Sequence, residues 1–342
     1  MASIAVTCQR LIKPNIFILS IYIFKILMYN VSMSGVGNEK LEYIRKRVRA
    51  CDYMSVAQLF LSDDFLLERP LGFDDIKPRL LGHWGTCHGI NVAYANLKSF
   101  YGDNPNFSFI LGPGHGFPAL QANLFFDGEL EKVDPNATRD SRGLAYVCHS
   151  FSWPDGFPSH ASPYTPGAIV EGGELGYALA NAYGMSLGHP EKILAVLIGD
   201  GELETATALD SLNLRALLAG PKNGKVIPVL HLNGYKISAP SIYARRSDRE
   251  LNEMIRGFGY QPVMIDGDDP ETFQNALKQK IDSPFYILKT EKGAGGPNKH
   301  QESHQIPLKS PMNDSDELNT LEEWLRSYNF NELFDAEKGF VL

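Results

Sequence analysis

Short, mostly apolar runs recur along the chain at 107–111, 193–198, 226–230, 261–265 and 285–289. Their length and β-branching mark them as buried strands. Between them lie segments with apolar residues at helical spacing: 41–60, 90–100, 118–126, 172–187 and 204–219. The first carries Arg45, Lys46, Arg47 and Arg49, expected on its wet face. Segment 172–187 is rich in Gly and Ala, which would let its helix lie close against a strand. Segment 134–156 is polar and turn-rich, and is expected to run irregularly over the surface. Strands alternating with helices predict an α/β fold, a doubly wound, mainly parallel sheet with helices on both faces.

Two strand ends carry the chemistry. Run 193–198 ends in Gly199-Asp200-Gly201-Glu202, and run 226–230 ends in His231-Leu232-Asn233-Gly234-Tyr235-Lys236. In an open α/β sheet, ligands sit at the carboxyl ends of strands, where Asp200 and Asn233 would lie. Either motif alone would usually be a turn. Together they offer one carboxylate and one amide oxygen, too little charge for calcium. That pair suits magnesium, which takes its remaining oxygens from a bound phosphate and water.

Composition narrows the picture only slightly. The 342 residues suffice for one large α/β domain, and a net charge of −8 argues against a nucleic-acid partner. Four cysteines lack CxxC spacing and any disulfide-framework pattern, which points to a cytoplasmic protein. Residues 1–33 stand apart. Segment 16–29 is apolar but too short to span a membrane, and Lys25 would be costly inside one. It is expected to be an upstream extension outside the fold, with a short targeting or anchoring segment as the alternative.

The spacing of Gly-Asp-Gly and Asn resembles the thiamine diphosphate motif of the transketolase superfamily. Other strings narrow the resemblance to phosphoketolases: Leu80 to Thr86 (LLGHWGT), Gly112 to Gly116 (GPGHG), Ser159-His160, Glu171 to Tyr177 (EGGELGY) and Ser303 to Pro307 (SHQIP). The match runs in order from about Leu41 to about Asp335. It implies a thiamine diphosphate-binding fold, with domain 34–330 holding the diphosphate and 331–342 beginning an interdomain linker. It also implies magnesium held by Asp200, Asn233 and the backbone carbonyl of Tyr235. Gly173, Gly201, Glu202 and Asn233 would frame the cofactor. His83, His115, His160 and His304 match the family's active-site histidines, and Lys292 its substrate-contacting lysine.

The implied reaction is that of a carbon–carbon lyase (an aldehyde-lyase). A ketose phosphate and inorganic phosphate would become acetyl phosphate and an aldose phosphate. Phosphoketolases are far longer and form the site between two domain types across a dimer. A complementary pyrimidine-binding domain or chain is therefore the expected partner, in a homo- or hetero-oligomer. The alternatives are a non-catalytic cofactor-binding subunit and half of a split transketolase-like enzyme. Departures from the family pattern gather near the substrate. Phe117 replaces a second glycine and would crowd the channel, the tryptophan usual after Lys292-Gly293 is missing, and Tyr164 and Val170 replace polar residues.

Overall fold

The computed structural model describes residues 37–341 apart from 103, 167 and 169–173. The expectations for 1–33, Gly173 and Val170 lie outside the described residues. Five strands, β1 (Phe107–Leu111), β2 (Ile193–Gly199), β3 (Lys225–Leu232), β4 (Gln261–Asp266) and β5 (Pro284–Lys289), form one sheet. Its order is β1-β2-β3-β5-β4, and every pairing is parallel. Pro228 fits inside β3 because β5 begins to pair one residue later, at Val229. Its missing N–H therefore costs no ladder bond on that side.

The alternation of side chains along the strands feeds two cores. Ala195 and Leu197 of β2 join Ile227 and Val229 of β3 on one face. Leu194, Val196 and Ile198 join Leu230 and Leu232 on the other. The first face is covered by α1 (Asn38–Phe60), α2 (Cys87–Tyr101), α3 (Phe117–Asp127) and a later helix, Pro270–Lys278. Ala178–Ser186 and Asp248–Gly257 contribute to the second. This is the doubly wound arrangement that strand–helix alternation predicts.

Several local expectations need correction. Segment 134–156 holds a helix, α4 (Ser141–Ser150), started by the Asp140 carboxylate accepting from the Gly143 N–H at 3.0 Å. An N-cap of this kind satisfies an amide that the helix itself cannot. The Gly/Ala-rich segment becomes helical only at α5 (Ala178–Ser186). Segment 204–219 is two short helices, α6 (Ala206–Ser211) and α7 (Leu214–Leu218). At their junction the Asn213 side chain donates to Asp210 at 3.2 Å and Ser211 donates back to the Thr207 carbonyl at 2.5 Å. Such local bonds compete with the helical ladder. Arg47 is buried rather than wet, and pairs with Asp127 at 2.7 Å.

Packing continues past residue 330, where the domain was expected to end. A short hairpin pairs Phe334 with Phe340. Phe334 and Phe340 lie against the Phe126 ring at 6.3 and 4.8 Å.

Candidate functional site

The carboxyl ends of β2, β3 and β5 bring the predicted residues together. Asp200 is buried at the end of β2. One carboxylate oxygen accepts from the Gly201 N–H at 2.9 Å. The other accepts from the Gly234 N–H at 2.9 Å and the Ser241 hydroxyl at 2.7 Å. Gly234 has φ +91°, a conformation that favours glycine, and this turns its N–H to Asp200. Asn233 Oδ1 accepts from the Tyr235 N–H at 3.1 Å. Gly201 leaves room for Lys236, since a Cβ there would meet the Lys236 side chain at 3.1 Å.

Asp200 thus has three neutral donors and, among the described residues, no direct ion pair. Burial pushes its carboxyl up to about 6 despite those bonds, with Lys292 opposing the rise from nearby. Among the described residues no group of three or more His, Cys, Asp or Glu could hold a metal ion. A cation here would depend on Asp200 together with neutral oxygens such as Asn233 Oδ1. That donor set fits a hard ion that keeps several oxygens of its own, such as magnesium on a phosphate.

Glu202 behaves differently from its expected role. Its carboxylate accepts from the Gly199 and Gly176 N–H groups, each at 3.1 Å, and burial lifts it to about 7. The side chain ties the end of β2 to the loop before α5, so only its backbone faces remain for a ligand.

The four predicted histidines converge. The His83 ring centroid lies 5.1 Å from His115, 5.1 Å from His160 and 5.0 Å from His304. His115 and His304 are 5.3 Å apart. His83 rests on Gly82, whose φ of +139° and contact with Leu59 exclude a side chain. Burial, with neighbouring imidazoles and Lys292, lowers His83 to about 3. Burial, then Lys292, lowers His304 to about 4, and the same causes hold His115 well below its ordinary range. All three are therefore neutral at pH 7. His83 Nδ1 is buried with no hydrogen-bond partner. A buried polar atom left so is a place for a ligand or water.

Lys292 links this cluster to the β2–β3 loops. Its ammonium donates to the Lys236 carbonyl and lies 3.2 Å from His304 Nδ1. Ammonium has no acceptor, so His304 Nδ1 must accept and Nε2 carries the proton. Burial lowers Lys292 to about 8, with Asp200 opposing the shift.

Other sequence readings resolve more plainly. His231 is a buried strand residue, with Nε2 2.8 Å from Thr290 Oγ1 and Nδ1 3.3 Å from Thr86 Oγ1. Gly89 admits it, because a Cβ there would lie 1.8 Å from its ring. Phe117 does not crowd the histidines. It is buried at the start of α3 and packs toward Phe151 at 6.1 Å. Tyr164 is exposed, and Tyr235 stacks on His300 at 4.5 Å. Sequence reasoning missed Ser241, since nothing local connects it to Asp200 41 residues away. It also missed the pair of Asp52 and His88, 2.7 Å apart.

Comparison with known proteins agrees with this geometry. A family model described as "XFP N-terminal domain" matches residues 35–285 and 274–341. A probable phosphoketolase of Bradyrhizobium diazoefficiens is 38% identical over 347 residues, covering 92% of this chain and 43% of that protein. One from Rhodopseudomonas palustris strain BisB5 is 41% identical, covering 85% and 41%. The chain thus spans about two-fifths of the length of these curated relatives. Among solved structures, a transketolase variant from Pichia stipitis matches with a TM-score of 0.61 at 16% identity, covering 87% of this chain and 42% of that one. Transketolase from Campylobacter jejuni gives 0.60 at 18%, covering 85% and 43%. These similarities place the sheet and its helices in the transketolase-like fold, and the chain belongs to the XFP N-terminal domain family, the amino-terminal domain of phosphoketolases.

Proposed function

We propose that this chain supplies the diphosphate-binding half of a phosphoketolase that depends on thiamine diphosphate and magnesium. It would cleave a ketose phosphate with inorganic phosphate to acetyl phosphate and an aldose phosphate. The convergence of His83, His115, His160 and His304 beside Lys292, one loop from Asp200 and Asn233, carries this reading. When bound, thiamine diphosphate would supply the carbanion that attacks the ketose carbonyl.

The chain's own residues would do the rest. Asp200 and Asn233 would offer side-chain oxygens to the metal, with the Tyr235 carbonyl as a third ligand, and Gly173, Gly201 and Glu202 would frame the diphosphate. Neutral imidazoles can each donate and accept at sugar hydroxyls. His304 would donate from Nε2, because Lys292 holds its Nδ1 as acceptor. His83 Nδ1, without a partner, is placed to exchange a proton with a leaving hydroxyl. Lys292 carries the positive charge that a phosphorylated substrate requires. A complementary pyrimidine-binding domain would close the other side of the cofactor.

The test is acetyl phosphate formation from xylulose 5-phosphate, with thiamine diphosphate, magnesium and phosphate. It is run with and without a separately expressed pyrimidine half from a full-length relative. Product that needs the added half, and that is lost in His83→Ala, supports the proposal. Calorimetric binding of thiamine diphosphate without product in either arm would favour a non-catalytic cofactor-binding subunit.

A further inference from the structure

A second polar cluster lies outside the histidine site. On α1, Asp52 is buried, and its Oδ1 accepts from Asn91 Nδ2 at 2.7 Å. Its Oδ2 holds His88 Nδ1 at 2.7 Å. Asn91 Oδ1 in turn accepts from Asn123 at 2.7 Å, so the carboxylate is fixed from behind. His88 Nε2 is left without a hydrogen-bond partner among the described residues, on a ring that lines a cavity of about 310 Å³.

The cavity walls have two characters. Ile44, Val48, Val92 and Tyr328 are apolar or aromatic. Arg45 and Arg49 stand one helical turn apart on α1, in register with Asp52, and line the same space. Among the described residues, Arg49 Nε is buried without a partner and Arg49 pairs only with the exposed Glu332, at 3.4 Å. Asp268 is a lining carboxylate on the opposite wall and limits the net positive charge. Burial opposes a charge on His88, but Asp52 outweighs it and its pKa is raised.

We propose that this cavity is a second ligand site, for a small organic anion with a phosphate or carboxylate head and an apolar or planar body. His88 Nε2, Arg45 and Arg49 would take the head; Ile44, Val48, Val92 and Tyr328 would take the body. A bond to an imidazole whose Nδ1 is held by Asp52 is directional, and Asp52 favours the charged form that strengthens it. The site borders the histidine cluster through Gly295, which lines the cavity and lies three residues after Lys292 in the loop that follows β5. The inference does not depend on thiamine chemistry.

Isothermal titration of the full chain with phenyl phosphate, benzoate and benzyl alcohol tests it. At least one anion should bind about tenfold tighter than the neutral alcohol, as expected for one bond to a charged group. Preference between the two anions identifies the head group. His88→Phe should lose about tenfold, Arg45→Gln should lose less, and Lys292→Met should leave the affinity unchanged. Arg45 is exposed, so Arg45→Gln keeps the test decisive even if His88→Phe does not fold. Absent saturable binding, equal affinity for the alcohol, or unaltered affinity in both cavity variants would overturn the proposal. So would loss of binding in Lys292→Met, which would place the anion among the catalytic histidines.

Discussion

Asp127 and Asp200 are aspartates with mostly covered side chains, and they differ in what surrounds them. Asp127 faces Arg47 at 2.7 Å, accepts from the Tyr94 hydroxyl at 2.8 Å and has Lys98 at 3.7 Å. Arg47 also donates to the Asn123 carbonyl at 2.9 Å, and Asn123 bonds Asn91 and Cys51. Most polar groups of that network are partnered, although the buried Arg47 Nε has no hydrogen-bond partner among the described residues. Asp200 has only neutral donors, and the imidazoles nearby include a buried nitrogen with no partner. Burying a carboxylate without a cation costs free energy that the fold does not recover locally. A carboxylate already paired with a cation holds architecture together, and one held only by neutral donors leaves a place for a cation. His88 sits where the Asn91–Asn123 network reaches a cavity.

The sharpest way to break this contrast is to unpair each aspartate. Arg47→Met removes the nearer of the two cations of Asp127 and should destabilise the chain by about 3 kcal/mol in urea unfolding, the low end for a broken buried pair because Lys98 remains at 3.7 Å. A loss under 1 kcal/mol, on the order of an exposed pair, would show that the Arg47 pair does not hold this region together.

Acid titration gives the next largest effect. His83 and His304 titrate at about 3 and about 4, against an ordinary 6.5, so the unfolded chain binds more protons between those values. Stability should therefore be fully present above pH 6.5 and fall as pH drops toward 4 and 3. Each fully shifted histidine adds a slope of at most about 1.4 kcal/mol per pH unit, less where solvent reaches the ring. His83→Gln should flatten the curve in denaturant melts recorded across that range; an unchanged slope would mean that these imidazoles charge freely in the fold.

The smallest effect is expected at Asp200 itself. Without cofactor, Asp200→Asn should change stability by about 1–2 kcal/mol, because relief of the buried charge is offset by an amide NH2 that cannot accept from the donors facing one of the two carboxylate oxygens. The same variant should abolish magnesium-dependent binding of thiamine diphosphate in calorimetry. A large loss of apo stability would make Asp200 a structural residue like Asp127.

Strand positions were readable because an apolar run of five or six residues has few other uses, and all five strands appear where expected. The convergence of His83, His115, His160 and His304 was legible only as resemblance. Their loops are separated by tens of residues, and no local pattern brings them together. Arg47 was misplaced because helical spacing shows which residues share a face but not which faces are covered. The α4 helix was missed because its signal, Asp140 capping Gly143, is a single contact inside a polar stretch.

By itself, then, the sequence determined the α/β alternation, the two strand ends that carry Asp200 and Asn233, and the loops that carry the histidines. These follow from local propensity, the period of the apolar pattern and the need for glycine in tight turns. The tertiary structure alone decided which carboxylates are paired and which imidazoles lack a partner. It also decided that Glu202 ties loops together and that Asp52 holds His88 over a cavity. Those outcomes depend on burial and on contacts between residues far apart in the chain, because the cost of a buried charge is set by what surrounds it in space.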